Sequence, residues 1–154
     1  MEKTDQINPK PAKAVAHELQ RMDVVRLVFF TFITFGLYHG VWYLKRISAF
    51  NSLHSSIKLT QGVFGFIIAG CVINAVLFFA VTFGQSAIPE HMVTSLADTS
   101  SWLNLAVWVV LFIQAFKTRR ILIDHFDYHL KWDVTVSWFW TFLFTTFYLQ
   151  YKIN

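Results

Sequence analysis

The chain has 154 residues, 55% of them hydrophobic, 18% aromatic and only 14% charged, with a formal net charge of +4. Soluble domains carry about a quarter charged residues, and a chain this short leaves roughly a third of its unfolded surface exposed after folding. These polar side chains cannot coat that surface, so the composition excludes disorder, a disulfide scaffold (Cys71 is the sole cysteine) and an ordinary soluble globule, and indicates a membrane protein.

Residues 1–20 are polar, contain Pro9 and Pro11, and lack the apolar core of a signal peptide. A flexible tail running into a short helix near Ala12 is expected there. Residues 21–154 read as a single membrane domain with four apolar segments, at about 27–44, 62–83, 100–116 and 134–149. A helix rises about 1.5 Å per residue and the hydrocarbon core is about 30 Å thick, so about 20 residues cross it. The second segment, 22 residues without a charge, is long enough to span; the third spans when it begins at Ser100. The first and fourth are short. Segment four is rich in Val, Thr, Phe and Trp, which favours a strand in water. In lipid, an open strand leaves backbone groups unpaired at several kcal/mol each, and a closed barrel needs at least about eight strands. The expected class is therefore an all-α integral membrane protein.

Between segments three and four, residues 117–132 read as a cytoplasmic amphipathic helix. Arg120, Asp124, Asp127 and Lys131 form its polar stripe, and Ile123, Phe126 and Leu130 its apolar one.

The cations fix an orientation. Lys45, Arg46 and Lys58 lie between segments one and two, and Lys117, Arg119, Arg120 and Lys131 between three and four. Residues 84–101 carry none, but hold Glu90 and Asp98. Short cytoplasmic loops concentrate Lys and Arg, so loops 45–61 and 117–133 are expected inside and 84–101 outside. A full crossing by segment one would then put Lys3, Lys10, Lys13, Arg21 and Arg26 outside, against the same rule. Either all four segments cross, or two crossings are flanked by two short segments that dip in and return. Thr34, Gly36, His39 and Gly40 interrupt segment one, and charge placement with length favours the re-entrant arrangement.

An internal echo links the outer segments. Phe29–Ile33 matches Phe139–Leu143, and Leu37-Tyr38 matches Phe147-Tyr148, all at an offset of 110. An abundance of phenylalanine supplies such matches by chance; a true repeat would bracket the central hairpin with two similar elements.

Several residues are candidates for packing or chemistry. Gly36-x-x-x-Gly40 and Gly65-x-x-x-Ala69 are small-residue pairs that let helices approach closely, within the chain or across a dimer. Asn74, Asn104 and Gln114 interrupt segments two and three and suit interhelical hydrogen bonds; with His39 they are also a candidate polar lining. No Asp, Glu, Lys or Arg lies in those two segments, which counts against an ion-coupled pump. His39 near a segment end is expected to reach the headgroup region. His125 and His129 share a helix face and are weak metal candidates without a thiolate or an HExxH motif. Trp42, Tyr43, Trp102, Trp132, Tyr148 and Tyr151 sit near segment ends as expected interface anchors. No nucleophile–base pair, phosphate loop or cofactor fingerprint appears, so no catalytic residue or cofactor is expected.

Two motifs carry a resemblance. Thr34-Phe35-Gly36-Leu37-Tyr38-His39-Gly40-Val41-Trp42, followed by Lys45, Arg46 and Asn51, has the form Thr-x-Gly-x-Tyr-x-x-x-Trp, and the chain closes on Tyr148-Leu149-Gln150-Tyr151-Lys152-Ile153-Asn154. Over about Arg21 to Asn154 the sequence resembles a bacterial family of small integral membrane proteins labelled a domain of unknown function. The resemblance implies an inner-membrane location and no activity. The expected function is a non-enzymatic scaffold or accessory subunit that binds membrane lipids, partner helices or a second copy, and not nucleic acid. A minimal oligomeric transporter or channel lined by Asn74, Asn104, Gln114 and His39 is the alternative.

Overall fold

The computed structural model describes residues 22–84, 88–129, 131 and 136–154; these are helices and short connections, with no strand among them. The N-terminal tail, Trp132 and most of the connection before segment four lie outside the described residues. Helix α1 spans Val24–Ile33, α2 Leu37–Ser52, α3 Gln61–Gly84, α4 Glu90–Ile123 and α5 Trp138–Ile153, with a π-helical turn over Asp124–His129.

The first apolar segment folds as a helical hairpin. Asp23 starts α1 by accepting from Val25 N at 3.1 Å. The reversal follows at Thr34–Gly36. Gly36 N donates to Thr31 O at 2.8 Å, with Phe35 (φ 50°) and Gly36 (φ 85°) both in the left-handed region that favours glycine. The Thr34 hydroxyl donates to Phe30 O and accepts from Tyr38 N, so it serves the end of α1 and the start of α2 together. The returning limb reaches back along the entering one: Tyr38 stacks on Phe30, and its hydroxyl lies 3.5 Å from Met22 Sδ.

Helices α3 and α4 form the long antiparallel pair, and each is long and apolar enough to cross a membrane. At about 1.5 Å per residue, the 24 residues of α3 extend about 36 Å. Gly70 lets them approach, since a Cβ there would fall 2.6 Å from Val107 Cγ2. The Ser100 hydroxyl bonds to Asn74 Oδ1 farther along. Helix α4 differs from expectation at both ends. It begins at Glu90, so much of the expected outer loop is helical, and it continues through Ile123. The described part of the separate amphipathic helix expected over 117–132 is instead the last turns of α4 and the π-helical turn ending at His129. Leu111, Ala115, Thr118, Ile121, Leu122 and His125 stay buried along it, so nothing interrupts the helix at residue 117.

Helix α5 contains a second break, at Thr145 (φ 41°, ψ −115°). Its two limbs also meet, because Ser137 N donates to the Tyr148 hydroxyl at 3.1 Å. The offset of 110 in the sequence thus recurs in space. The left-handed residues Phe35 and Thr145 correspond, as do the tyrosines Tyr38 and Tyr148 that reach back to the entering limb. Thr31 and Thr141 correspond too, donating to Leu27 O and Ser137 O, each at 2.8 Å.

One end of the molecule gathers the start of α1, the end of α2, the end of α4 and both ends of α5. Asn154 brackets Met22 with both amide atoms, at 3.2 and 2.7 Å. Ser55 donates to Asp124 Oδ2 at 2.7 Å, and Arg119 Nε to Val136 O at 2.7 Å. The 53–60 loop is held by Asn51, whose amide exchanges two hydrogen bonds with the Leu59 backbone at 2.7 and 2.9 Å. The α1–α2 reversal lies far from this end: Phe35 meets Phe78 and Phe79, with ring centroids 5.6 and 5.8 Å away. Around an apolar core, large apolar side chains are also exposed and several polar ones are buried. Phe32, Val76, Phe83 and Trp102 are more than 60% exposed, whereas His39, Arg46, Thr118, Thr146 and Gln150 are buried.

Candidate functional site

Helix α2 places His39, Trp42, Tyr43 and Arg46 on one buried face, at the i, i+3, i+4, i+7 spacing of a single helix stripe. His39, Trp42 and Tyr43 each lie beside a polar side chain that segment four or α4 supplies. His39 Nδ1 lies 2.9 Å from the Thr146 hydroxyl. Trp42 Nε1 donates to Gln150 Oε1 at 2.7 Å, Gln150 Nε2 donates to Asn154 Oδ1 at 2.7 Å, and Asn154 in turn holds Met22. This relay ties α2 to α5 and α5 to the start of α1. The Tyr43 ring stacks on Phe64 at 4.6 Å, and its hydroxyl is buried beside Thr118. The Arg46 guanidinium sits 4.8 Å from the Trp42 ring centroid and donates to Trp42 O at 3.4 Å. Burial pulls its pKa below the ordinary value, which the neighbouring Tyr38 partly opposes; an arginine keeps its proton regardless.

Beside this face, at the α1–α2 reversal, a cleft of about 390 Å³ opens toward the exposed apolar surface. Phe35, Trp108 and Phe147 form its aromatic walls, Val107 and Leu111 line it on the α4 side, and His39, Cys71 and Asn104 reach it. The His39 ring packs between Trp108 and Phe147, with centroids 6.1 and 5.2 Å away. Such a space can hold an apolar body and read one polar group.

The structure distributes the residues singled out in the sequence among different roles. Gly36 forms the reversal, and Gly40 packs on α3, where a Cβ would fall 2.5 Å from Ile68 Cγ1. Gly65 and Ala69 instead lie on the exposed face of α3, and a Cβ at Gly65 would meet nothing within 4 Å. Trp42 and Tyr43, expected as interface anchors, are fully buried: Gln150 accepts from the Trp42 indole N–H, and the Tyr43 ring stacks on Phe64 although its hydroxyl has no hydrogen-bond partner among the described residues. His39, expected to reach headgroups, is 2% exposed for the same reason: Thr146 supplies its partner within the chain. Trp102 and Tyr151 are exposed and Tyr148 partly so.

Of the four candidate lining residues, His39 and Asn104 share the cleft. Gln114 is buried elsewhere, its Oε1 without a hydrogen-bond partner, and Asn74 is bound to Ser100. His125 stacks on His54 at 5.6 Å and accepts from His54 N at 3.3 Å, while the side chain of His129 lies outside the described residues. Among the described residues, no group of three or more His, Cys, Asp or Glu is placed to hold a metal ion. Sequence reasoning missed Thr146, Gln150 and Asn154. Their i, i+4, i+8 spacing, a polar line through an aromatic segment, was the available signal.

Residues 23–123 match the family model described as a domain of unknown function (DUF4234). The match contains the first motif and Asn51 and stops before α5. No curated protein and no solved structure matches the chain.

Proposed function

We propose that this chain, which belongs to the DUF4234 family, is a non-enzymatic scaffold or accessory subunit of the bacterial inner membrane that binds lipids or partner membrane helices. In this reading α3 and α4 cross the bilayer, while the α1–α2 hairpin and α5 enter from the cytoplasmic side and return. The loops at 45–61 and 117–133 are cytoplasmic, the 84–101 region is outside, and both ends of the domain face the cytoplasm.

The observation that carries the reading is the exposed apolar surface: large apolar side chains are exposed along the helices, and His39, Thr118, Thr146 and Gln150 are buried among the apolar core residues. Soluble monomers rarely expose apolar patches beyond a few hundred Å², whereas a lipid-solvated protein buries its polar groups against one another. Helix α3 supports a partner-helix role, since Gly65 and Ala69 leave a shallow face that none of the described residues covers.

The test is single-cysteine labelling with an impermeant maleimide, in a Cys71→Ser background. Ser48→Cys and Asn154→Cys are expected to react from one side of the membrane and Met92→Cys from the other. Reaction of Ser48→Cys and Asn154→Cys from opposite sides would end the re-entrant topology. Purification in mild detergent is expected to retain lipid, a partner or a second copy; a bare monomer would count against the binding role. A transporter reading draws on the two broken helices, which in many carriers flank the substrate site. Solute flux in liposomes that is lost on replacing His39 and Asn104 would favour it over a scaffold.

A further inference from the structure

We propose that the cleft at the α1–α2 reversal is a binding site for a membrane-dissolved amphipathic molecule: an apolar chain or ring system bearing one neutral hydrogen-bonding group, such as a hydroxyl or carbonyl. The proposal rests on the bilayer reading above and gives it a ligand class and a location.

The cavity has the dimensions and lining of a ligand site. Its volume of about 390 Å³ falls within the 300–1,000 Å³ usual for small-molecule pockets, which are mostly apolar with a few fixed polar groups. The mouth opens beside Phe32 and Phe35, both exposed, so a molecule dissolved in the acyl region can enter sideways.

Two polar groups in the cleft await a partner. Thr146 engages Nδ1 of His39 and holds the ring, and among the described residues Nε2 has no hydrogen bond. The Asn104 amide also has no hydrogen bond among the described residues, and it lies on an exposed face of α4. In water such groups would be hydrated; in hydrocarbon an unpaired amide or imidazole costs several kcal/mol. A bare acyl chain would leave both unsatisfied, and isolated water is poorly held between aromatic walls. One hydroxyl or carbonyl on an apolar body satisfies what neither of those can. A carboxylate or phosphate fits less well, because no Lys or Arg lines the cleft.

The backbone around the cleft is unusual in the same place. Phe35 and Gly36 line it in left-handed conformations, and the left-handed Thr145 adjoins the Thr146 that fixes His39. Residues held in such conformations cluster at ligand clamps, where surrounding contacts sustain the strain.

Cys71, the sole cysteine, lines the cleft and is its native reporter. With the full chain in phosphatidylcholine vesicles, the rate of Cys71 modification by N-ethylmaleimide is followed by mass shift as oleyl alcohol or hexadecane is added at equal mole fractions. Oleyl alcohol is expected to slow the reaction, at about five- to tenfold lower concentration than hexadecane needs, the advantage one hydrogen bond confers. Asn104→Leu, at an exposed position that folding tolerates, should erase most of that preference. Asn104→Phe should slow labelling with no probe present by filling the space. Equal protection by the two probes, no protection by either, or an undiminished preference in Asn104→Leu would overturn the proposal. A chain that stays dissolved without detergent before any probe is added would instead overturn the bilayer reading.

Discussion

The first hairpin packs tightly on α3 at Gly40, where an added methyl has a calculable consequence. A Cβ at Gly40 would fall 2.5 Å from Ile68 Cγ1, 3.3 Å from Ile68 Cδ1 and 3.4 Å from Phe64 O. Carbon atoms prefer about 3.5–4.0 Å, so α2 or the Ile68 side chain must move by about 1 Å. Moving α2 would also pull Tyr43 off Phe64, whose rings stack at 4.6 Å. Overpacking of this kind costs about 1–3 kcal/mol. Gly65→Ala is the internal control, because its methyl meets nothing within 4 Å. Both substitutions gain the same helix preference, at most about 1 kcal/mol, so their difference isolates the steric cost. Gly40→Ala is therefore expected to be less stable than Gly65→Ala by about 1–3 kcal/mol, measured by SDS-induced unfolding from mild detergent micelles. Equal midpoints for the two variants would refute the packing argument, as would a Gly40→Ala protein more stable than Gly65→Ala.

Trp42→Phe should lose about 1–3 kcal/mol by leaving Gln150 Oε1 buried without its donor, and adding Gln150→Leu should recover part of the loss in a double-mutant cycle. Thr146→Val should destabilise by a similar amount, about 1–3 kcal/mol, by stripping His39 of its hydrogen bond to the Thr146 hydroxyl; thermal unfolding followed by tryptophan fluorescence would record it. Gly36→Ala places a Cβ at φ 85° and should cost about 1–2 kcal/mol, whereas Gly62→Ala, in open space, should leave the unfolding midpoint unchanged or raised. Asn51→Ala removes both bonds to Leu59 and should release the 53–60 loop, read as faster proteolysis there with α3 and α4 intact.

The helical class was legible in the sequence: a chain with too few charges to solvate its surface was expected in hydrocarbon, where helices pair the backbone, and the described residues are helices and short connections without a strand. The chain break near Gly36 was also legible, since Thr34 and Gly36 interrupt an apolar run where a glycine can turn left-handed. The echo at 110 marked where a second break would fall, yet nothing local at Thr145 announced it: threonine is a poor left-handed residue, and only the contact of Tyr148 with Ser137 requires the chain to double back there. Aromatic position misled for Trp42 and Tyr43. Interface anchoring and core burial draw on the same amphipathic rings, and the choice depends on whether a partner for the N–H or O–H lies inside. Gln150, 108 residues away in the chain, supplies that partner for Trp42, and Phe64 supplies the ring on which Tyr43 stacks, so the decision belonged to the tertiary arrangement. The cleft has the same origin. His39, Cys71, Asn104 and Phe147 stand on four different helices, and only packing brings an unsatisfied imidazole nitrogen and an unsatisfied amide to one apolar space.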